Sequence, residues 1–325
     1  MLTSNKSKEN MKLSRYIEDI PFDKNSIVTV GTFDGVHLAH QKIIGKAVEL
    51  AKRRNGRSVV VTFEPHPREV LVTPGTDMKL LTTLQERQEL CEQLGADWLF
   101  VIEFNKTFSQ QGFRDFYVKY LIGGIGISVI VEGYDHHWGR NREGNIEALV
   151  RLGKEYEFEV VHIEQFKHNG IPVNSSMIRN ELLNGSVEVS AGFLGRPYAL
   201  FGKVVPGDRR GRSLGYPTAN VRLASQKKVV PKNGIYFVQV RIGESRYFGM
   251  ASIGVRPTFH TDGKCILEVN ILDFNQCIYG FDLRIDFLQR LRDEWKFDSV
   301  DKLIQQMHHD EDLSRELQYK YHNLV

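Results

Sequence analysis

The period of the apolar residues changes once along this chain, and that change limits the fold more than any other feature. In the first half, short apolar runs occur at Ser26 to Val30, Ser58 to Phe63, Trp98 to Ile102, Ile127 to Val131 and Phe158 to Ile163. They alternate with stretches of helical spacing at His40 to Arg53, Leu84 to Leu94, Phe113 to Leu121 and Glu147 to Tyr156. Buried strands alternating with amphipathic helices predict an α/β unit with a parallel sheet covered on both faces. After about Gly192 the runs become closely spaced and separated by Gly, Pro and Asn: Ala199 to Val205, Gly234 to Ile242, Tyr247 to Ser252, Cys265 to Leu272 and Leu283 to Leu288. That spacing predicts an antiparallel β-barrel. A terminal helix is expected over Ser299 to Tyr321, where Val300, Leu303, Ile304 and Met307 share a face. The expected division is a disordered polar tail at 1–11, an α/β domain at 12–189 and a barrel domain at 190–325.

Charge and cysteine content narrow the function classes. A net charge of +3 over 325 residues is too small to argue for a nucleic-acid partner and suits small anionic substrates equally well. No apolar stretch approaches the roughly 20 residues that span a bilayer, and the polar start MLTSNKSKEN lacks the apolar core of a secretory signal. Three cysteines without paired metal-type spacing fit a reducing, cytoplasmic setting. Oligomeric state is not legible.

Two segments carry phosphate chemistry. GRSLGYPTAN, Gly211 to Asn220, follows the basic, glycine-containing stretch PGDRRGRS. Glycines let backbone approach a ligand closely, and exposed amides cradle phosphate. The Thr218 hydroxyl and Asn220 carbonyl are hard oxygen donors suited to a hydrated magnesium ion. GTFDGVHLAH, near the other end, places a tight turn between a strand and a helix start. A helix amino terminus attracts phosphate, and His37 and His40, on one helical face, can donate to an α-phosphate as charge builds. The plainer reading of the pair is a capped surface turn. Two nucleotide sites on one chain imply consecutive reactions.

The first segment of the chain resembles the G-x-F-D-G-x-H-x-G-H motif of bacterial FAD synthetases, a nucleotidyltransferase family with a Rossmann-like domain. TFEPHP (Thr62 to Pro67), GYDHHWGRNREGN and NSSMIR (Asn174 to Arg179) resemble three further segments of that family, in its order. The resemblance implies catalytic roles for His37 and His40. It implies nucleotide contacts at Gly31, Phe33, Asp34, Gly35, Ser175, Ser176 and Arg179, and a flavin contact at Asp135. Ala39 stands where the family has glycine, and His136, His137 and Trp138 where Phe residues are usual.

The run GKVVPGDRRGRSLGYPTAN is similar to the riboflavin kinase signature G-x-V-x-x-G-x-x-x-G-R-x-L-G-[FY]-P-T-A-N. This implies that Gly202, Gly207, Gly211, Arg212, Gly215 and Pro217 surround ATP phosphates, with Thr218 and Asn220 at magnesium. Glu268, in LEVNIL, matches the family's general base; read without the family it is one acid on a strand. RDEWKF implies flavin contacts at Arg292, Glu294 and Phe297. Ser252, Asn270 and Cys277 depart from the family's asparagine, histidine and aspartate. The chain is thus identified as a member of the bifunctional riboflavin kinase/FAD synthetase family. Riboflavin, FMN and ATP are the expected substrates, FAD the product and Mg2+ the cofactor; no macromolecular partner and no membrane are expected. Two other readings stay open here: retention of only one activity, and a flavin-binding regulator without turnover.

Overall fold

The computed structural model describes residues 10–71, 78–134, 144–207, 215–255 and 265–322. The expected site residues Asp135, Gly211 and Arg212, and the segment His136 to Trp138, lie outside the described residues. Two compact units divide between Ser175 and Ser176.

The first unit alternates strands and helices. Its strands are β1 (Lys12–Ser14), β2 (Ser26–Val30), β3 (Arg57–Glu64), β4 (Trp98–Glu103), β5 (Ile127–Gly133) and β6 (Glu159–Ile163). They form one sheet in the order β1-β4-β3-β2-β5-β6, and every pairing is parallel. Interleaved are α1 (Leu38–Arg53), α2 (Pro67–Leu71), α3 (Leu84–Gln93), α4 (Lys106–Ser109), α5 (Phe113–Phe116) and α6 (Ile146–Tyr156). All of β2 and the six central residues of β3 are buried, as strands covered on both faces must be. A small hairpin, β7 (Lys167–His168) with β8 (Ile171–Pro172), ends this part.

Two features differ from the sequence expectation. β1 adds a strand at the sheet edge from only three residues, too short a run to show a period. The helix expected over Phe113 to Leu121 winds as α5 and then as a π-helix over Tyr117–Ile125, ending at Gly126 with φ 79°. The close approach of Gly124 to Ile17 accompanies this wider winding, since a Cβ at 124 would fall 2.6 Å from Ile17 Cγ1. Tyr117, in the π turn, donates its hydroxyl to Glu132 Oε1 at 2.9 Å, and both side chains are buried.

Two helices the sequence pattern did not announce come next, α7 (Ser175–Asn184), whose first residue closes the first unit, and α8 (Val187–Leu194). Both bond to the part of the chain that holds the strands that follow: Lys232 N–H, ahead of one of them, donates to Leu182 O at 3.0 Å, and Arg290 N–H, on the last, to Glu188 Oε1 at 2.8 Å. Those strands are β9 (Tyr198–Val205), β10 (Ala219–Leu223), β11 (Gly234–Ile242), β12 (Ser245–Val255), β13 (Cys265–Ile271) and β14 (Asp282–Arg292). They close an antiparallel barrel in the order β10-β13-β12-β11-β14-β9. Tyr236, Val238, Val240, Leu267, Val269, Leu283, Ile285 and Phe287 alternate along their strands and are buried, which fills the interior. A second apolar layer lies outside. Phe237, Phe248, Met250, Leu272 and Leu288 pack with Met307, Leu313 and Leu317 of the terminal helix α9 (Val300–His322).

Candidate active sites

β2 ends at the GTFDG turn, where Phe33, Gly35 and Val36 take φ of 46°, 88° and 38°. Left-handed backbone at Phe and Val is strained and persists only where the surroundings over-determine it. Asp34, 1% exposed, supplies much of that determination. Its carboxylate accepts from the Leu81 and Thr82 amides, each at 2.9 Å, and from Thr82 Oγ1 at 3.2 Å; Gly35 N–H donates to Thr82 Oγ1 at 2.9 Å. Phe33 is sealed in the core with its ring edge-on to His40 at 5.2 Å. Gly31 follows β2 directly, its N–H donating to Val61 O.

His37 is the N-cap of α1: its Nδ1 accepts from the His40 amide at 3.3 Å, and the two imidazoles stack at 3.6 Å and 19°. A neutral imidazole that accepts at Nδ1 carries its proton on Nε2, so the donor end of His37 is its far end. The helix dipole adds positive potential at the same place. Capping and phosphate donation are therefore compatible, one nitrogen serving each. Ser175 Oγ donates to Asp34 O at 2.9 Å; Ser176 and Arg179 follow it in the sequence of α7.

Sequence reasoning missed Arg87. This α3 residue is 1% exposed and donates to Thr32 O at 3.0 Å, Thr62 Oγ1 at 2.9 Å and Phe63 O at 3.1 Å, while pairing with Glu64. It ties the GTFDG turn to the TFEPHP segment from behind. The available signal was its spacing of four from Cys91, which marks a buried helix face in an otherwise polar sequence. Burial pushes the Cys91 thiol up to about 12, so it stays a protonated core group. Burial, then the neighbouring Glu132, likewise raises the Tyr117 phenol well above its ordinary range.

On the barrel, strand register assembles the second site. Asn220 lies opposite Glu268, Glu268 opposite Ser252, Ser252 opposite Ile235 and Ile235 opposite Arg292. Directly opposed residues share a face, so these five form one row on the outside of the barrel. The neighbours of Glu268, Leu267 and Val269, point inward and are buried, which leaves its carboxylate outside and half-buried. The Asn220 amide sits against Gly207: a Cβ there would fall 2.1 Å from Nδ2 and 2.6 Å from Oδ1. Gly202 on β9 is similarly closed in by Val221 and Arg222.

Gly215, with φ 86°, leads into the Tyr216–Pro217–Thr218 segment. Two clamps hold it. Asn270, where the family pattern has histidine, donates Nδ2 to Pro217 O at 2.8 Å. Tyr216 is buried, and its hydroxyl meets His308 Nδ1 at 2.7 Å and donates to Glu311 Oε2 at 2.9 Å, both on α9. Burial, followed by the Glu311 bond, pushes this phenol up to about 12. Arg292 is engaged by Asp310 of α9 through three contacts of 2.6–3.0 Å. Its guanidinium also lies 4.9 Å from the Trp295 ring and 5.9 Å from Phe297. Glu294 presses on β12, where a Cβ at Gly254 would fall 2.8 Å from its Oε1.

A family model for FAD synthetase matches residues 19–177, and one for riboflavin kinase matches 194–318. A bifunctional riboflavin kinase/FMN adenylyltransferase of Listeria monocytogenes is 36% identical over 293 residues, 90% of this chain and 92% of its own. The Escherichia coli protein of that name is 32% identical over 309 residues, 94% of this chain and 97% of its own. A solved structure from Streptococcus pneumoniae, called a macrolide-efflux protein, matches with a TM-score of 0.86 at 34% identity, covering 94% of this chain and 99% of that one. With both halves matched in order and over nearly their full length, this chain belongs to the bifunctional riboflavin kinase/FMN adenylyltransferase family.

Proposed function

We propose that the chain makes FAD in two steps, with phosphoryl transfer to riboflavin on the barrel and AMP transfer to FMN at the β2–α1 turn. The observation that carries the barrel assignment is the register pair Asn220–Glu268, set beside Gly207. It puts one carboxylate and one amide oxygen on the same face, across adjacent strands. In the kinase step the Glu268 carboxylate accepts the proton of the ribityl 5′-hydroxyl. The oxygen bonds to the ATP γ-phosphorus in line as the bridging P–O bond breaks, leaving FMN and ADP. Glycines 202, 207, 211 and 215, with Arg212 and Pro217, line the phosphates; Phe297, Glu294 and Arg292 lie on the flavin side.

Thr218 and Asn220 would hold magnesium. Both offer neutral hard oxygens, a set that suits an ion also bound by substrate phosphates and water, and glycine at 207 leaves the Asn220 amide uncovered by a side chain. When bound, the ion neutralises phosphate charge. In the second step an FMN phosphate oxygen attacks the ATP α-phosphorus and pyrophosphate leaves. His37 Nε2 and His40 stabilise the developing charge, and Gly31 to Gly35, Ser175, Ser176 and Arg179 hold the nucleotide. Asp135 is assigned to FMN. Adenylyl transfer follows the motifs through residue 189, phosphoryl transfer those from 190. Among the described residues no helix is long and apolar enough to cross a membrane, and Cys91 and Cys277 are free thiols, which supports a cytoplasmic setting.

A chromatographic product assay with magnesium and ATP tests the reading. Riboflavin should yield FMN and then FAD, and supplied FMN should yield FAD. FMN accumulating without FAD removes the adenylylation site; FAD from FMN but nothing from riboflavin removes the kinase site.

A further inference from the structure

Away from the Glu268 row, the barrel carries three arginines side by side. Arg284, Arg241 and Arg246 are direct cross-strand neighbours on β14, β11 and β12. Like charges set opposite one another destabilise a sheet, and the row is only partly compensated. Asp286, buried between them, takes Arg284 at 2.8–3.1 Å and Arg241 at 3.3 Å. Arg246 has no acidic or hydrogen-bonding partner among the described residues and is exposed. The neighbouring arginines also act on each other: the Arg241 guanidinium is held below its usual range by burial, against the pull of Asp286, with Arg284 and Arg246 adding to the lowering.

Next to Arg246 the surface opens into a cavity of about 570 Å³, lined by Gln239, Arg246, Tyr247, Phe248, Leu272, Asp273 and Gln318. Its floor is apolar, from Phe248 and Leu272. The amides of Gln239 and Gln318 offer donors and acceptors to the edge of a flat ring. The one acid, Asp273, is held by Arg315 at 2.9 and 3.1 Å, so it does not neutralise Arg246. An apolar floor, a few placed polar groups and a volume within roughly 300–1,000 Å³ describe a small-molecule site, and a guanidinium at the rim suits phosphate. The lining residues nearest the row, Phe248 and Leu272, stand four positions from Ser252 and Glu268, about 13 Å at the strand rise, so this cavity is separate from the Glu268 row.

We propose that this cavity is an effector site for a phosphorylated planar heterocycle, with the phosphate on Arg246 and the ring on Phe248 between Gln239 and Gln318. The inference goes beyond both catalytic assignments and does not need either. The test counts binding equivalents on the full chain by equilibrium dialysis, with FMN and with ADP as separate probes, for the native protein, Arg246→Glu and Gln239→Leu. The expected result is one more equivalent in the native protein than in either variant, with both turnover rates at low product unchanged. An extra equivalent of FMN identifies a flavin phosphate as the effector, and one of ADP an adenine nucleotide. Equal equivalents in all three proteins with both probes overturn the site, as does loss of binding in Arg246→Glu that is matched by an equal loss of turnover.

Discussion

At the β2–α1 turn the backbone is gripped from behind by charged side chains sealed in the core, Asp34 and Arg87. At the Tyr216–Pro217–Thr218 segment it is gripped from the side by groups outside the barrel, Asn270 on Pro217 O and His308 and Glu311 on the Tyr216 hydroxyl. The first arrangement makes the shape of the site inseparable from the stability of its sheet. The second lets the Tyr216–Thr218 segment be adjusted through the terminal helix while the barrel interior stays untouched. Mutations should therefore couple stability to activity in the first unit and separate them in the second.

The largest effect is expected from Glu268→Gln, which should lower FMN formation by about 10²–10⁴-fold while FAD formation from supplied FMN persists. Unchanged kinase turnover would remove Glu268 from the base position. His37→Ala should slow adenylylation by about 10²–10³-fold, spare the kinase and cost about 1 kcal/mol of α1 capping. Loss of stability with the adenylylation rate of the folded protein unchanged would leave His37 its capping role alone. Arg87→Leu breaks a buried ion pair and should destabilise the first unit by about 3 kcal/mol, measured by denaturant unfolding, with adenylylation falling in parallel. Retained adenylylation in a destabilised protein would break the coupling argued above.

Smaller still is Tyr216→Phe, expected to cost about 1 kcal/mol of stability and to raise the magnesium concentration needed for half-maximal kinase rate. Its pH signature sharpens the comparison. A phenol raised from 10.0 to about 12 in the folded state contributes stability that is fully present below pH 10 and is lost as pH rises through about 12. Tyr216→Phe should abolish that alkaline loss in the second unit, and a persistent loss would show that another group causes it.

The strands were legible because each is a run of apolar residues whose period matches its surroundings: continuous in β2 and β3, alternating in β11. Gly234 to Ile242 is read to the residue. What escaped was long-range. Arg87 and Thr32 are brought together only by the sheet, and no local pattern announces a buried cation with backbone partners. The sequence shows Asp34 only as a member of the GTFDG motif; that its carboxylate also holds the 81–82 backbone appears only in the fold. α7 and α8 carry motif serines and short apolar stretches without a clear amphipathic stripe. The Tyr216–α9 clamp joins positions nearly a hundred residues apart. The family pattern tolerates Phe at that position, so the hydroxyl gave no sequence signal.

The row Asn220–Glu268–Ser252 also sets where this sequence can change length. One residue gained or lost inside β13 would rotate every later side chain of that strand to the other face, placing Glu268 in the packed interior and Leu267 or Val269 outside. Such a change removes the proposed base, buries a charge and exposes core in a single step. The β11–β12 turn at Gly243, with φ 57°, lies at the far end of its strands from the row. Length variation should therefore collect at such hairpin tips, while the spacing from Ser252 to Glu268 is read strand by strand and the spacing within each strand stays fixed.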